Sequence, residues 1–461
     1  MFNLSRAAQW GVVLVLGLAV LYLGFVPEQS EFPKIALGFG PAFLGYACLL
    51  SQRRVAWQQV LVVAVVLRVL LVFAPPLLSD DVYRFVWDGR LILAGVNPFE
   101  YLPRAYVDGT LPAVPGLTAE LFARLNSPDY FTIYPPLAQA VFTFAVWCFP
   151  DDVLAAGRVM KGVLLLAELS TLWFLVQILR QLRLPPRRVL LYALNPLVLI
   201  EIMGNLHFEG LMVSFLAAAL YGVLRGGLAG SAAALALSVG SKLLPLMFLP
   251  LLLRRLPWRA WLRYYLVAGA VILLLFVPLL SGGFLEGFGS SLDLYFRKFE
   301  FNASIYYILR WIGYLQVGWN KIATIGPWMG VVSLMGILAY TFLERRPSVP
   351  NLARGMLFVI GLYLLFALTV HPWYCILPVF LCTMTRFRFP LLWSGLIWLT
   401  YVNYNGGTYA EHLWVVGIEY GLVFGYLVWE LWRRGADPAT TKAGSHFSQT
   451  RGNTPTAGRI G

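Results

Sequence analysis

The chain has 461 residues, of which 59% are hydrophobic and only 12% charged, with a mean hydropathy of +0.72. Apolar runs recur along nearly its whole length, which excludes a soluble globular domain. An all-α, polytopic integral membrane protein is expected instead, since lipid admits only helices or closed barrels and barrel strands alternate. The net charge of +13 follows from arginine-rich loops and a basic tail, so nucleic acid is not needed as a partner.

In chain order, candidate spans cover residues 8–26, 34–51, 56–76, 158–181, 188–203, 207–224, 230–253, 259–280, 327–343, 354–370, 373–386, 388–403 and 412–432. Counting the ambiguous segments, about 12–14 transmembrane helices are expected. The first apolar segment is long and has no small-residue cleavage site after it, so it is expected to stay as a span. Arg53-Arg54, Arg254-Arg255 with Arg259 and Arg263, Arg345-Arg346, Arg386 with Arg388, and Arg433-Arg434 are expected to be cytoplasmic, and the Glu28–Glu31 loop external. One conflict arises: Arg180, Arg183, Arg187 and Arg188 would face outward if both 134–149 and 158–181 crossed. Segment 134–149 is short and opens Tyr134-Pro135-Pro136, so it is read as a juxtamembrane or re-entrant piece. Segment 230–253, broken at Ser241-Lys242 and Pro245, reads as two short helices.

Polar residues gather at four places, all expected at the external face. The first is the loop 77–157, which opens Ser79-Asp80-Asp81-Val82-Tyr83-Arg84 and continues Trp87-Asp88-Gly89-Arg90, Asn97-Pro98-Phe99 and Tyr134-Pro135-Pro136-Leu137. Carboxylates at a membrane boundary are costly to hold. Asp80 and Asp81 could cap a helix starting at Val82, but one cap does not need two carboxylates plus Asp88. The second place is Asn195-Pro196, Glu201 and Asn205-Leu206-His207-Phe208-Glu209, where a solvated turn is the plain alternative. The third is Lys242, beside Pro245, which could instead snorkel to the interface. A second external loop, 281–326, precedes the fourth, His371-Pro372-Trp373-Tyr374, which could be an interfacial aromatic anchor. Arg68 reads as a structural pair or a snorkelling residue, and the sequon Asn302-Ala303-Ser304 as incidental. Cys48, Cys148, Cys375 and Cys382 lack metal or redox spacing and read as packing residues. Residues 433–461 read as a disordered, basic cytoplasmic tail.

Taken together, the four places suggest one chemistry. A carboxylate can take the proton of an attacking hydroxyl, and a cation in apolar surroundings suits a phosphate leaving group. At a membrane surface the natural electrophile is a sugar on a lipid phosphate. Tyr83, Trp87, Tyr101, Tyr106, Tyr130, Tyr134, Trp373 and Tyr374 suit stacking on sugar faces or resting among headgroups.

On these residues the chain resembles the GT-C superfamily of integral-membrane glycosyltransferases. Within it, the chain is similar to the mannosyltransferase of glycosylphosphatidylinositol synthesis and its bacterial relatives. That group carries Asp-x-Asp-Tyr, Asp-Ala-Ala, Gly-x-Ser-Pro-Tyr and Tyr-Thr-Pro-Leu motifs. Asp80 and Tyr83 match the first, Asp88 the second, Gly95 with Pro98-Phe99 the third, and Tyr134-Pro135-Pro136-Leu137 the fourth. His371-Pro372-Trp373-Tyr374 to Pro378 resembles the group's late aromatic stretch. The group's second aspartate falls on Val82, and Asp81 stands one place earlier.

The resemblance implies a GT-C-like membrane domain over 1–432, with juxtamembrane helices in the first external loop. It implies inverting transfer of a sugar, foremost mannose, from a polyprenyl-phosphate donor to a lipid or glycan acceptor at the external face of a bacterial inner membrane. Asp80 is then the catalytic carboxylate and Asp81 its support. In the mechanism we expect on this basis, Lys242, with Arg84 or Arg90, would hold the departing phosphate. His207 and Glu209 shape the sugar pocket, which Asp88, Tyr134, His371, Trp373 and Tyr374 complete. No cofactor is demanded, although Asp80 has the oxygens to share a divalent metal. A transporter or flippase for a lipid-linked saccharide is the alternative, but such proteins place ionisable residues near mid-membrane on repeated, broken helices. A non-catalytic scaffold would not need the ordered acidic, basic and aromatic sets.

Overall fold

The computed structural model describes residues 4–280 and 283–435; most of the predicted tail, 436–461, lies outside the described residues. Among the described residues there are helices and no strand, only an isolated bridge between Phe301 and Thr369. Seven helices are long and apolar enough to cross a membrane: Arg6–Phe25, Phe32–Ser51, Val153–Gln181, Trp258–Leu279, Ile322–Leu343, Val349–Phe366 and Leu413–Arg433. Of five shorter apolar helices, Trp57–Leu71, Leu228–Ser241, Leu244–Leu253 and Pro372–Cys382 fall in further predicted spans, and Pro136–Cys148 falls in the segment read as a juxtamembrane or re-entrant piece. The count by length alone is therefore below the expected twelve to fourteen, because several apolar runs are broken before reaching the roughly 20 residues a span needs.

Two predicted spans are corrected. Residues 188–203 do not form one helix but a string of short turns, ending in a π-helical turn at Leu199–Gly204. Pro196 supplies no N–H, and the Asn195 side chain accepts from the amides of Leu197 and Val198, which restarts the chain. The Pro196–Gly204 and Glu209–Arg225 helices then meet at a 114° bend. Residues 388–403 likewise split into Phe389–Ser394 and a 3-10 stretch from Ile397. Segment 230–253 breaks at Lys242 as its sequence suggests, into Leu228–Ser241 and the turns from Leu244.

Buried charges knit the elements that carry the site. Arg68 and Glu168, both fully buried, pair at 2.9 Å, and Arg68 also donates to the Ala193 carbonyl at 2.7 Å. Tyr192 donates to the other Glu168 oxygen at 2.6 Å. Arg68 is thus the structural pair its position suggested. Lys161, inside Val153–Gln181, donates to the carbonyls of Ala74 and Gly204, each at 2.6 Å. It joins the end of the segment before Asp80 to the π turn before His207. Helix Asp81–Leu93 packs on Pro136–Cys148 through Gly89, where an added Cβ would lie 2.8 Å from the Phe142 carbonyl oxygen. That 13-residue helix thereby belongs with the first polar loop.

The basic residues meet at shared loops. Arg187 donates to the Arg53 carbonyl, Arg188 to that of Thr385, and Arg255 pairs with Glu344. The arginines around 187 thus share an end of the bundle with Arg53, which removes the parity conflict. Asn302 is fully buried and donates to Glu419, so the sequon is incidental. All four cysteines are free.

Candidate active site

Helix Asp81–Leu93 follows Pro75-Pro76 after a four-residue link, and Asp80 occupies its N-cap position with φ −92° and ψ 3°. Its side chain makes no capping hydrogen bond, so the capping role fails for Asp80. The Asp80 carboxylate instead lines a cavity of about 440 Å³. The residue as a whole is exposed, yet its carboxyl sits against the wall of that cavity. Loss of water there, then the neighbouring Asp81 charge, raise its pKa above the usual carboxylate value, while Arg124 pulls the other way.

Asp81 lines the same cavity but is held firmly. Its Oδ1 accepts from the Asn126 amide at 2.8 Å and its Oδ2 from the Tyr134 hydroxyl at 3.0 Å. Behind Oδ2, at 3.8 Å, stands Nε2 of His207. The other ring nitrogen of His207 faces Glu201, 3.1 Å from Oε2 and 2.9 Å from the main-chain oxygen. The ring stacks on Trp373 with centroids 3.8 Å apart, and Trp373 stacks on His371 at 4.3 Å. Burial first, then His207 and Lys242, push the His371 imidazole down to about 3, so it is neutral at physiological pH.

Lys242 stands in extended backbone at the break after Ser241 and faces the cavity. Its ammonium pairs with Glu209 and lies 5.5 Å from the centre of the Tyr374 ring. Tyr134, His371, Trp373 and Tyr374 line the cavity too. Four regions far apart in sequence therefore converge on one space.

Other expected site residues are placed differently. Arg84 touches the cavity, but it pairs with buried Asp88 at 2.8 Å and donates to the Tyr130 carbonyl at 2.8 Å. Asp88 is fully buried and also accepts from Gln139, so it holds the loop rather than facing the cavity. Arg90 is outside the cavity and donates to the carbonyls of Gly116 and Pro150. His207 and Glu209 stand behind the wall, each about 98–99% buried by side chains around them. Among the described residues no group of three or more His, Cys, Asp or Glu gathers as a metal site.

Sequence reasoning missed Asn126, Glu300, Tyr401, Tyr404 and Tyr409, all of which line the cavity. The tyrosines sit in the run Tyr401-Val402-Asn403-Tyr404-Asn405-Gly406-Gly407-Thr408-Tyr409, whose polar and glycine content departs from the surrounding apolar pattern. That departure was the available signal. Glu201 stood out as an acid in an apolar run, but its partners, His207 and Tyr401 (2.8 Å to Oε1), are set by the fold.

An acidic pair, a cation and aromatic walls around one cavity form an arrangement suited to deprotonating a hydroxyl beside a phosphate and a sugar. A family model described as "Alpha-(1->6)-mannopyranosyltransferase, N-terminal domain" matches residues 5–256, which hold Asp80, Asp81, Tyr134, His207 and Lys242. The chain is also similar to two curated proteins named "Alpha-(1->6)-mannopyranosyltransferase A". With that of Mycobacterium tuberculosis it is 24% identical over 224 residues, 46% of this chain and 41% of the relative. With that of Corynebacterium glutamicum it is 24% identical over 181 residues, 39% of this chain and 35% of the relative. The matches thus span about two fifths of the length of these relatives. Since the family model covers more than half of the residues, including both aspartates and the lysine of the cavity, the chain belongs to the alpha-(1->6)-mannopyranosyltransferase family.

Proposed function

We propose that this protein is an inverting mannosyltransferase that moves mannose from a polyprenyl-phosphate donor to a lipid or glycan acceptor at the external face of the membrane. The observation that carries the reading is the convergence of Asp80, Asp81 and Lys242 on one aromatic-walled cavity. The family name and the relatives' names support the sugar.

In this reading Asp80 is the general base. Its carboxylate oxygens receive no hydrogen bond from the described residues, and its raised carboxyl binds a proton more readily than an ordinary aspartate. The acceptor hydroxyl loses its proton to Asp80 as its oxygen bonds to the anomeric carbon. The anomeric C–O bond to phosphate breaks, and its electron pair leaves on the polyprenyl phosphate. Lys242 stabilises that leaving charge with the ammonium hydrogens Glu209 does not use. Asp81, with both oxygens held, fixes the wall beside the base. Arg84 and Arg90 serve the loop's shape, since their donors go to Asp88 and backbone carbonyls.

The test is incubation of purified protein with radiolabelled polyprenyl-phosphate mannose and lipid or glycan acceptors. Released polyprenyl phosphate together with a mannosylated acceptor supports the reading. The 114° break at 204–209 favours the second reading, a transporter or flippase, because broken helices build transport sites. Movement of the lipid-linked sugar across proteoliposomes without any transfer would select that reading instead.

A further inference from the structure

His207 has a buried ring nitrogen, Nε2, with no hydrogen-bond partner among the described residues. A buried polar atom left unpaired is costly, so its persistence calls for a reason. Its surroundings supply one. Nδ1 faces two acceptor oxygens of Glu201, so the ring hydrogen belongs on Nδ1. Nε2 then presents a lone pair toward Asp81 Oδ2, 3.8 Å away, and two acceptors face each other across the gap. A proton on Nε2 would replace that repulsion by an ion pair across the gap, which is longer than a hydrogen bond.

The arrangement is held under strain. Leu206, just before the histidine, has φ +68°, a left-handed conformation that a leucine rarely adopts. Such strain persists only where surrounding contacts over-determine it. Here those contacts are the amide of His207 on the Glu201 carbonyl at 3.1 Å, and Asn205 and Tyr401 on the Glu201 carboxylate.

We propose that Glu201 and His207 are positioning residues of the transfer reaction: Glu201 locks His207 with its hydrogen on Nδ1, and a proton held between Nε2 and Asp81 sets how much of the Asp81 charge Asp80 feels. The proposal rests on the transferase reading. Neither residue lines the cavity, so both act through Asp81. Several groups face this pair, among them Tyr404 beside both aspartates and Arg124 near Asp80. Asp81 brings Asp80, Asn126 and Tyr134; the Trp373 stack brings His371; Glu209 with Lys242 lies on the following helix; and Tyr401 bonds Glu201. Asp81 also raises the Asp80 carboxyl, which gives the coupling a path.

The test has two arms. In the first, transfer is measured against pH for the wild type, His207→Gln, Asp81→Asn and the double variant. Without the shared proton the full Asp81 charge bears on Asp80, so His207→Gln should move the acid limb up by about one pH unit. Asp81→Asn should move it down. In the Asp81→Asn background the histidine substitution should leave the limb in place, within about 0.2 unit. A His207→Gln variant that loses rate with an unmoved limb, or moves the limb equally in both backgrounds, overturns the proposal.

The second arm needs no turnover. The chain has four histidines, so ¹⁵N-histidine labelling gives a spectrum in which His207→Gln assigns the wanted signals. A hydrogen on Nδ1 in the wild type, lost in Glu201→Ala, and an Nε2 signal that moves in Asp81→Asn are expected. An Nε2 signal indifferent to Asp81 overturns the proposal. Absence of transfer in the wild type would sink the transferase reading while the spectrum still decides the pairing.

Discussion

Asp80 and Asp81 are neighbours with different surroundings, and the difference lies in what touches their oxygens. Asp81 is tied by Asn126 and Tyr134 and backed by His207, whereas Asp80 stands at the helix start with no cap to make. In the proposed role Asp80 must be ionised to accept a proton, and its carboxyl is raised. Transfer should therefore fall as the pH is lowered, with a midpoint above the roughly 3.9 of a free aspartate. A rate that holds level through that range would remove Asp80 from the role. The stability effect has the opposite sign. A carboxyl raised in the folded state favours the fold below its unfolded value and loses that contribution as pH rises through the folded one. At neutral pH, Asp80→Asn should leave the melting temperature unchanged or slightly higher; a clear drop would mean that Asp80 is structural. For Lys242, substitution alone strands buried Glu209, so the informative variant is Lys242→Met with Glu209→Gln. That pair should fold and bind the lipid phosphate at least tenfold more weakly, by about 1.4 kcal/mol or more. Unchanged affinity would take Lys242 out of the scheme.

Elements place these residues through a few buried polar ties. Arg68→Met would leave Glu168 charged and unpaired in the bundle, at a cost of about 3–5 kcal/mol, whereas Arg68→Met with Glu168→Leu should recover most of it. Thermal unfolding in detergent checks this, and equal losses in both variants would contradict it. Gly89→Ala would press a methyl on the Phe142 carbonyl and should cost about 1–3 kcal/mol despite alanine's better helix propensity. At this scale the sequence was only partly legible. Hydropathy found the apolar runs, but a window average does not see Asn195 capping after a turn or Pro196 withholding a donor, so 188–203 passed for a helix. Lys242 was legible because a lone charge beside a proline interrupts an apolar run. Arg90 and Asp88 misled because a charge in a loop has no sequence mark that separates a ligand contact from a tie to a backbone carbonyl. His207, His371 and Trp373 were visible, but their stacking, with Trp373 between the two histidines, was not, since that geometry joins chain segments some 160 residues apart.

At the scale of the whole molecule, arginines donate to backbone carbonyls of other loops, Arg187 to Arg53 and Arg188 to Thr385, while Asp80, Asp81, Lys242 and aromatic residues line the cavity. In the proposed reading the arginines are cytoplasmic, as the positive-inside rule favours, and the cavity lies on the opposite side. In a background free of the four native cysteines, Thr110→Cys should react with an impermeant maleimide on intact cells, and Arg346→Cys should react only after lysis; both positions are exposed. The reverse pattern would invert the topology and put the cavity on the wrong side for an external acceptor.

The most direct single measurement compares Asp80→Asn with the wild type for both binding and turnover of polyprenyl-phosphate mannose in purified form. The account predicts donor binding within about twofold of wild type and transfer reduced by about 10²–10⁴-fold, the range for losing a general base. Transfer at the wild-type rate in a folded Asp80→Asn protein would contradict it.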